Sequence, residues 1–407
     1  MNAQAAVGRA FQYGLVIFIL TALIGLANAT RIFGQLSQDT LLTHLHSGTL
    51  GWITMGVLGV AAWLFGASSP ALGRNIAITG IATAAYVLAF WSGNFTARAA
   101  FGSIELVVIV TWWLWVLRAA MAEGLGRVSV PKLSILLALT TLVIGSLIGV
   151  IIQLQFALGT AGPQTGDLIG THASAQVGGY LILVAAGITE WQLSGERRTR
   201  AGVIQASLLF LAGLLLAAGF LMNVQPALLL SNLFQVVAIV MIAVRVGRHA
   251  LRVSWNAPTG LRHEAIAIPW LVVALVLLIT LTNKVIAAGG DISQVPQGLV
   301  HGLDHSMFIG VMTNTLFGTI LAYTADRPRI WPWADHVVFW GLNIGAASFV
   351  AVLVFVGTSA GAGAFAHPVS FTAPIMGLSV LLGIATYLMR LRAAPAPLAA
   401  SMAAAAG

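Results

Sequence analysis

Nine histidines are the residues of this chain with the clearest capacity for chemistry, and its 407 residues include no cysteine. Without thiols the chain cannot form disulfides, thiolate metal sites or iron–sulfur clusters. A metal ion has to be held by imidazole, thioether, phenol or carboxylate groups instead. Neutral imidazole is the commonest of these ligands and suits iron, copper and zinc. The place of each histidine in the fold therefore decides which chemistry is open to the protein.

The composition requires a membrane around most of the chain. Hydrophobic residues make up 59% of it and charged residues only 7%, whereas a soluble domain carries about 25% charged residues. This excludes a soluble enzyme, a disordered protein and a secreted domain. The net charge of +8 is explained by basic residues in the loops that set membrane topology. We therefore expect contacts with membrane lipids and no nucleic-acid partner.

Apolar runs of about 20 residues can cross the hydrocarbon core of a bilayer, and the chain contains twelve such runs. The breaks between them carry glycine, proline or charged residues, as in DRPR at 326–329. The sequence predicts an all-α, twelve-helix membrane bundle, with one membrane domain (1–392) and an Ala-rich cytoplasmic tail (393–407). The predicted spans are 11–29, 44–66, 73–92, 101–121, 131–156, 171–193, 201–221, 226–247, 264–287, 301–323, 335–359 and 369–390.

The basic residues predict the orientation of the bundle. If the N-terminus is cytoplasmic, sixteen of the 19 Lys and Arg residues lie inside and three lie outside. Cytoplasmic loops of membrane proteins carry such an excess of Lys and Arg. We therefore expect both termini to be cytoplasmic, in a multi-pass protein of a bacterial inner (plasma) membrane.

Five histidines open spans 2, 6 and 10, which all start at the outer face. Ionisable side chains are costly inside a membrane and usually face the bundle interior, where they serve a function. We interpret these five as a functional group near the outer face. They are His44 and His46 (span 2), His172 (span 6), and His301 and His305 (span 10). The others are expected to be solvated or interfacial: His249 and His263 in a cytoplasmic loop, His336 at the inner end of span 11, and His367 in an outer loop.

Helical geometry limits which of these histidines can act together. Residues two apart on a helix point about 200° apart, so His44 and His46 cannot face the same point. His301 and His305 are four apart and share a face. Two histidines from two helices that clamp a b-type haem form the simplest site open to a cysteine-free bundle.

Three other polar residues lie at a compatible depth. Glu105 is near the outer end of span 4, and Tyr180 lies two turns below His172 on roughly the same face. Asp304 is next to His305, and its carboxylate is expected to orient that imidazole by accepting a hydrogen bond.

Two stretches of the sequence resemble known proteins. THLHSGTLGWITMGVLG (43–59) resembles the span-2 ligand region of short members of the haem–copper oxidase subunit I superfamily. HGLDHSMFIGVMTNTLFGTILAYTADRPR (301–329) resembles more closely the NnrS family, compact twelve-span haem and copper proteins linked to nitric oxide metabolism. The twelve spans, the cytoplasmic termini and the histidines on spans 2, 6 and 10 resemble the same superfamily.

The resemblance implies roles for individual residues. His46 and His305 would be the axial ligands of a low-spin b haem, one of one or two haems, with His44 and His301 as further haem-binding candidates. His172 would occupy the copper-ligand position of span 6. A second metal site, for copper or another ion, would draw on His172, His301 and Glu105, with Asp304 and Tyr180 beside it.

The chain also departs from the oxidase pattern. Span 7 has no histidine, where two further copper ligands are expected, and position 303, expected to be a high-spin haem ligand, is leucine. Tyr180 follows His172 by eight residues rather than by the four of the oxidases' His–Tyr pair. These departures argue against a dioxygen-reducing proton pump. If the protein is an enzyme, we expect an oxidoreductase.

The leading hypothesis is an integral membrane haem protein that acts in electron transfer, or handles nitric oxide or another small gas, near the outer face. Its redox partner would be a quinol or a small cytochrome. Two other functions fit twelve spans with both termini inside. One is a secondary transporter, although transporters place their polar groups near the midplane of the bilayer. The other is a haem-less structural subunit of a respiratory complex.

Overall fold

Twelve membrane-spanning helices make up the chain. The computed structural model describes residues 3–66 and 70–394, so 395–407, most of the predicted Ala-rich tail, lie outside the described residues. The described residues form twelve helices long and apolar enough to cross a membrane, and no strand, which confirms the predicted all-α bundle. The helices are α1 (Ala5–Thr30), α2 (Gln38–Leu64), α3 (Ala71–Trp91), α4 (Phe95–Glu123), α5 (Val130–Ala157), α6 (Pro163–Ser194), α7 (Arg200–Met222), α8 (Gln225–Ala250), α9 (Gly260–Ala287), α10 (Gln297–Tyr323), α11 (Ala334–Phe355) and α12 (Val369–Arg392).

The outer starts of α2, α6 and α10 lie four to eight residues before the predicted ones. The first turns of these helices are polar and fall outside an apolar run, but capping interactions stabilise them as helix. Ser37 Oγ accepts the amide hydrogen of Thr40 at the start of α2, and Pro163 fits the first turn of α6. The five histidines therefore do not open their helices as predicted. They lie four to nine residues inside them, about 6–14 Å from the first residue.

Helices α2, α6 and α10 form the centre of the bundle. The buried share of the span is 78%, 72% and 83% in these three helices, against 33–56% in the other nine. Trp52 Nε1 donates to Thr313 Oγ1 at 3.1 Å and links α2 to α10. Tyr180 OH donates to Thr54 Oγ1 at 3.2 Å and links α6 to α2. The three helices therefore meet along one axis.

Each central helix contains one π-helical segment, a rare feature that is frequent at functional sites. Tyr180 lies inside the segment of α6, where the α-helical spacing that related it to His172 no longer applies. Its hydroxyl reaches α2, whereas the His172 ring is bonded to α5. The three segments are Ser47–Thr54, Ala175–Leu181 and Ser306–Thr313.

The other nine helices surround this centre in chain order and divide it into three sectors. Helices α11, α12 and α1 flank the space between α10 and α2, the first sector. Helices α3, α4 and α5 flank the space between α2 and α6, the second sector. Helices α7, α8 and α9 flank the space between α6 and α10, the third sector. Large apolar side chains such as Ile81 and Val107 are exposed on the outside of this ring, as contact with lipid requires.

The inner half of the bundle is held by buried polar side chains. Glu264 on α9 accepts hydrogen bonds from Thr189 on α6 at 3.2 Å and from Thr319 on α10 at 3.3 Å. Asp335 on α11 accepts two hydrogen bonds from Arg390 on α12, at 2.9 and 3.1 Å, and both side chains are buried. The Glu264 bonds join helices of the third sector at the inner side, and the Asp335 bonds join helices of the first sector there.

His263 belongs to this buried region, and its predicted place in a cytoplasmic loop is wrong. Helix α9 begins at Gly260, so His263 lies in its first turn and is fully buried. Its Nδ1 lies 2.9 Å from Asn314 Oδ1, and the Phe339 ring of α11 contacts the imidazole edge-to-face at 4.9 Å. The turn residues just before Gly260 end the loop and were the available signal.

The buried ion pair gives a test of this packing. Asp335→Ala leaves the Arg390 guanidinium buried without its carboxylate, and breaking a buried pair from one side costs about 3–5 kcal/mol. We expect a clear fall in the thermal unfolding midpoint of the detergent-solubilised protein. Asp326→Ala is the control, because that aspartate is exposed. Equal midpoints for the two variants would contradict the role given to the pair.

Candidate functional site

His44 and His305 face each other across the first sector. Their ring centres are 6.4 Å apart and their planes differ by 25°. Two coaxial imidazoles that share one metal ion need about 6.3 Å between centres, from two metal–nitrogen bonds of about 2 Å and about 1.15 Å from each ring centre to its nitrogen. The separation therefore fits one metal ion held between the two rings.

A backbone carbonyl holds the other nitrogen of each ring. His44 Nδ1 lies 2.8 Å from the carbonyl oxygen of Thr21 on α1. His305 Nδ1 lies 2.8 Å from that of His301, one turn earlier on α10. A carbonyl oxygen can only accept, so each Nδ1 carries the hydrogen and each Nε2 keeps a free lone pair. Metal-ligating histidines are held in this way.

Residues of α1 and α11 contact the two rings. A Cβ at Gly25 of α1 would lie 2.9 Å from His44 Cε1, so only glycine admits the ring there. Phe349 of α11 contacts the His305 ring edge-to-face, with centres 4.8 Å apart. Both histidines are only half-buried, although they lie on the two most buried helices. Both rings thus keep accessible surface inside the bundle, as ligands of a bound haem require.

His301 and Asp304 lie beside this pair. The His301 side chain is exposed near the outer end of α10. Asp304 is half-buried. The His301 carbonyl, and not the Asp304 carboxylate, accepts the hydrogen of His305 Nδ1. The orienting role predicted for Asp304 at that atom is thus taken by the backbone.

His46 points away from this pair, as its two-residue offset from His44 predicts. Its ring stacks on Phe90 of α3, with centres 3.8 Å apart and planes 14° apart. The His172 Nδ1 lies 2.7 Å from the Gly145 carbonyl of α5, the other helix that flanks this sector. The structure thus brings His44, rather than His46, opposite His305, and it brings His46 and His172 to the second sector.

Glu105 is buried on α4. Its Oε1 accepts a hydrogen bond from Thr83 at 2.9 Å, and its Oε2 is buried without a hydrogen-bond partner. Within residues 3–66 and 70–394, no three His, Asp or Glu side chains converge as a metal site. His172, His301 and Glu105 are therefore not brought together as the second metal site that the resemblance implied.

Sequence reasoning missed two features of these sectors. One is α1, where Thr21 and Gly25 receive the His44 ring; two small residues four apart in an apolar span were the available signal. The other is Arg98 on α4, which is buried, forms an ion pair with Asp39 and donates to the Phe90 carbonyl at 2.9 Å. A lone arginine at the depth of the histidines was the signal there.

Comparison with solved structures identifies the fold. A cryo-EM structure described as a heme-copper terminal oxidase dimer superimposes with a TM-score of 0.64 and 12% sequence identity, over 96% of this chain and 83% of that chain. No protein-family model matches this chain, and no curated protein matches it. At this identity the likeness shows the fold. The chain therefore has a haem–copper oxidase-like membrane fold, as the resemblance implied.

Proposed function

We propose that this chain is a membrane haem protein that transfers electrons near the outer face, with a b-type haem bound between His44 and His305. The opposed pair carries the proposal: two rings 6.4 Å apart, each with its Nδ1 bonded to a carbonyl and its Nε2 free. The oxidase-like fold supports it, because a structure with that fold is described as a heme-copper terminal oxidase. In this proposal His44 takes the span-2 ligand role that the resemblance assigned to His46.

A haem bound there would supply one-electron chemistry. The chain's own residues would set the conditions for it. His44 and His305 would fill both axial positions, and the carbonyls of Thr21 and His301 would hold their tautomers and raise the basicity of the ligating nitrogens. Phe349 would keep water from the His305 side. A quinol or a small cytochrome would exchange electrons at the outer ends of α2 and α10, in a bacterial inner membrane.

Electron transfer is favoured over gas handling because both axial positions would be filled. Nitric oxide chemistry, which the resemblance of 301–329 to the NnrS family implied, requires an open axial position. The proposed cofactor is a b-type haem, and the proposal does not extend to copper.

The first test is haem content. We expect purified protein to show a b-type spectrum, and His44→Ala and His305→Ala each to lower the haem-to-protein ratio by one haem, because a single imidazole cannot hold a low-spin site. His249→Ala, at the inner end of α8, is the control and should keep the full ratio. The pyridine-haemochrome assay measures it. Colourless wild-type protein from iron-replete cells would contradict the proposal and favour the transporter or the haem-less subunit.

A second test uses the glycine that receives His44. In Gly25→Ala the new Cβ would lie 2.9 Å from His44 Cε1, so the ring has to move. Displacing the support of a metal ligand weakens metal binding by about 10-fold or more. We expect a matching loss of haem affinity in titrations of the apoprotein. Gly166→Ala, which meets open space, should bind haem as the wild type does; equal losses would contradict the contact.

The third test separates electron transfer from gas handling. The reduced wild-type protein should show no spectral change with carbon monoxide or nitric oxide, because no axial position is open. His305→Ala, which loses the low-spin haem during purification, should bind carbon monoxide when excess haem is added, because His44 alone then leaves one axial position open. Stoichiometric binding of either gas to the wild type, at a haem that His44→Ala removes, would instead support the gas-handling alternative.

A further inference from the structure

Helices α2 and α6 carry the same short motif, an aspartate four residues before a Thr-His pair. Thr43 Oγ1 donates to the Asp39 carbonyl at 2.7 Å, and Thr171 Oγ1 donates to the Asp167 carbonyl at 2.7 Å. The two turns are bonded alike and lie at similar depth. The histidine that follows each threonine therefore starts from the same local geometry.

His172 is held by α5 in the way that His44 is held by α1. His172 Nδ1 lies 2.7 Å from the Gly145 carbonyl, and a Cβ at Gly149 would lie 3.0 Å from His172 Cε1. The same spacing occurs on α1, where the accepting carbonyl belongs to Thr21, four residues before Gly25. The carbonyl places the hydrogen on His172 Nδ1, so its Nε2 keeps a free lone pair.

His46 is held in the other way, the one seen at His305. His46 Nδ1 lies 2.8 Å from the Leu42 carbonyl, one turn earlier on its own helix, as His305 Nδ1 does from the His301 carbonyl. In both helices a π segment begins at the next residue. The His46 Nε2 is therefore also a free lone-pair donor.

The two pairs follow one scheme. In the first sector, the histidine held by a neighbouring helix, His44, faces the one held by its own helix, His305. In the second sector, His172 is held by the neighbouring helix α5 and His46 by its own helix, with its ring stacked on Phe90 of α3. The second sector thus repeats the arrangement of the first. In it α2 takes the place of α10, and α6 takes the place of α2.

The third sector shows what the arrangement looks like without ligands. On α6, Ser174 follows His172 by two residues, as His46 follows His44 on α2. On α10, Leu303 precedes His305 by two residues, as His44 precedes His46. Neither serine nor leucine offers a metal ligand. Two histidines held in this way therefore occur in the first and second sectors and not, within the described residues, in the third.

Each of these two sectors also holds a buried arginine near the outer side. Arg98 lines the second sector; it is 1% exposed, and its Nε is buried without a partner although the guanidinium pairs with Asp39. Arg31, at the outer end of α1, is also buried, and its Nε donates to Ser359 Oγ at 3.1 Å. A buried cation with a free donor suits the carboxylate of a ligand.

We propose that the second sector is a second haem site, with His46 and His172 as axial ligands and Arg98 as the partner of a haem carboxylate. The proposal rests on the proposed function, because the first pair is its template. The two sites would share α2, with ligands only two residues apart. Electrons could then pass between them within one turn of one helix.

The experiment measures haem per chain on the full-length protein in detergent, by pyridine haemochrome and quantitative amino-acid analysis. We expect a ratio of two in the wild type and of one in both His46→Ala and His172→Ala. The double variant should also stay at one, because one site has been lost in all three. Ser174→Ala is the matched control on α6 and should keep a ratio of two.

The outcomes separate this proposal from the proposed function. A wild-type ratio of one that His44→Ala abolishes and His172→Ala leaves intact overturns the second site alone. A ratio of one that His172→Ala abolishes and His44→Ala leaves intact supports the second site and overturns the first. A ratio of zero overturns both.

Two further variants guard against loss of haem through misfolding. His172→Gly should regain the second haem when free imidazole is added, which an unfolded variant cannot do. His46→Met should keep both haems but raise the midpoint potential of one of them in a spectroelectrochemical titration, because methionine ligation raises the potential. Two unchanged potentials would contradict ligation by His46.

Discussion

Inside a membrane bundle an imidazole has to place the hydrogen on one of its nitrogens, and here a backbone carbonyl accepts it at four central histidines, on α2, α6 and α10. A carboxylate partner would add a buried negative charge, which is costly in a membrane. A helix carbonyl already bonded to an amide keeps a second lone pair. The helices therefore hold four neutral imidazoles without adding any charge. What each sector can bind follows from where the four free Nε2 atoms then lie.

Much of the fold could be predicted, because spans and orientation depend on composition summed over about 20 residues. The starts of α2, α6 and α10 could not, because polar first turns are formed by caps. The burial of His263 comes from Phe339 on another helix, which no local window contains. Spacing alone showed that His44 and His46 diverge. Which of them faces α10 depends on the rotation of α2, and that is decided by a contact with Gly25 on α1.

A central helix can serve two sectors only if it presents ligands on two sides. Residues two apart point about 200° apart, so a His-x-His pair does this and a single histidine does not. In this chain only α2 carries such a pair at the outer depth, as His44 and His46, while position 303 on α10 is leucine. The sectors on either side of α2 are consequently those with two carbonyl-bonded histidines each, and within the described residues the sector that α2 does not border has no such histidine.

The inner half of the bundle bears on the same geometry. A side-chain atom about 6 Å from a helix axis moves about 1 Å for each 10° of rotation, whereas metal–ligand distances tolerate about 0.2 Å. The rotation of α10 therefore has to be fixed to within a few degrees. Asn314 on α10 donates to Asn343 on α11 at 2.9 Å, and Thr319 on α10 donates to Glu264 on α9 at 3.3 Å. Asn314 directly follows the π segment and Thr319 lies less than two turns beyond it, so these buried polar residues hold the angle at which His305 is presented to the first sector.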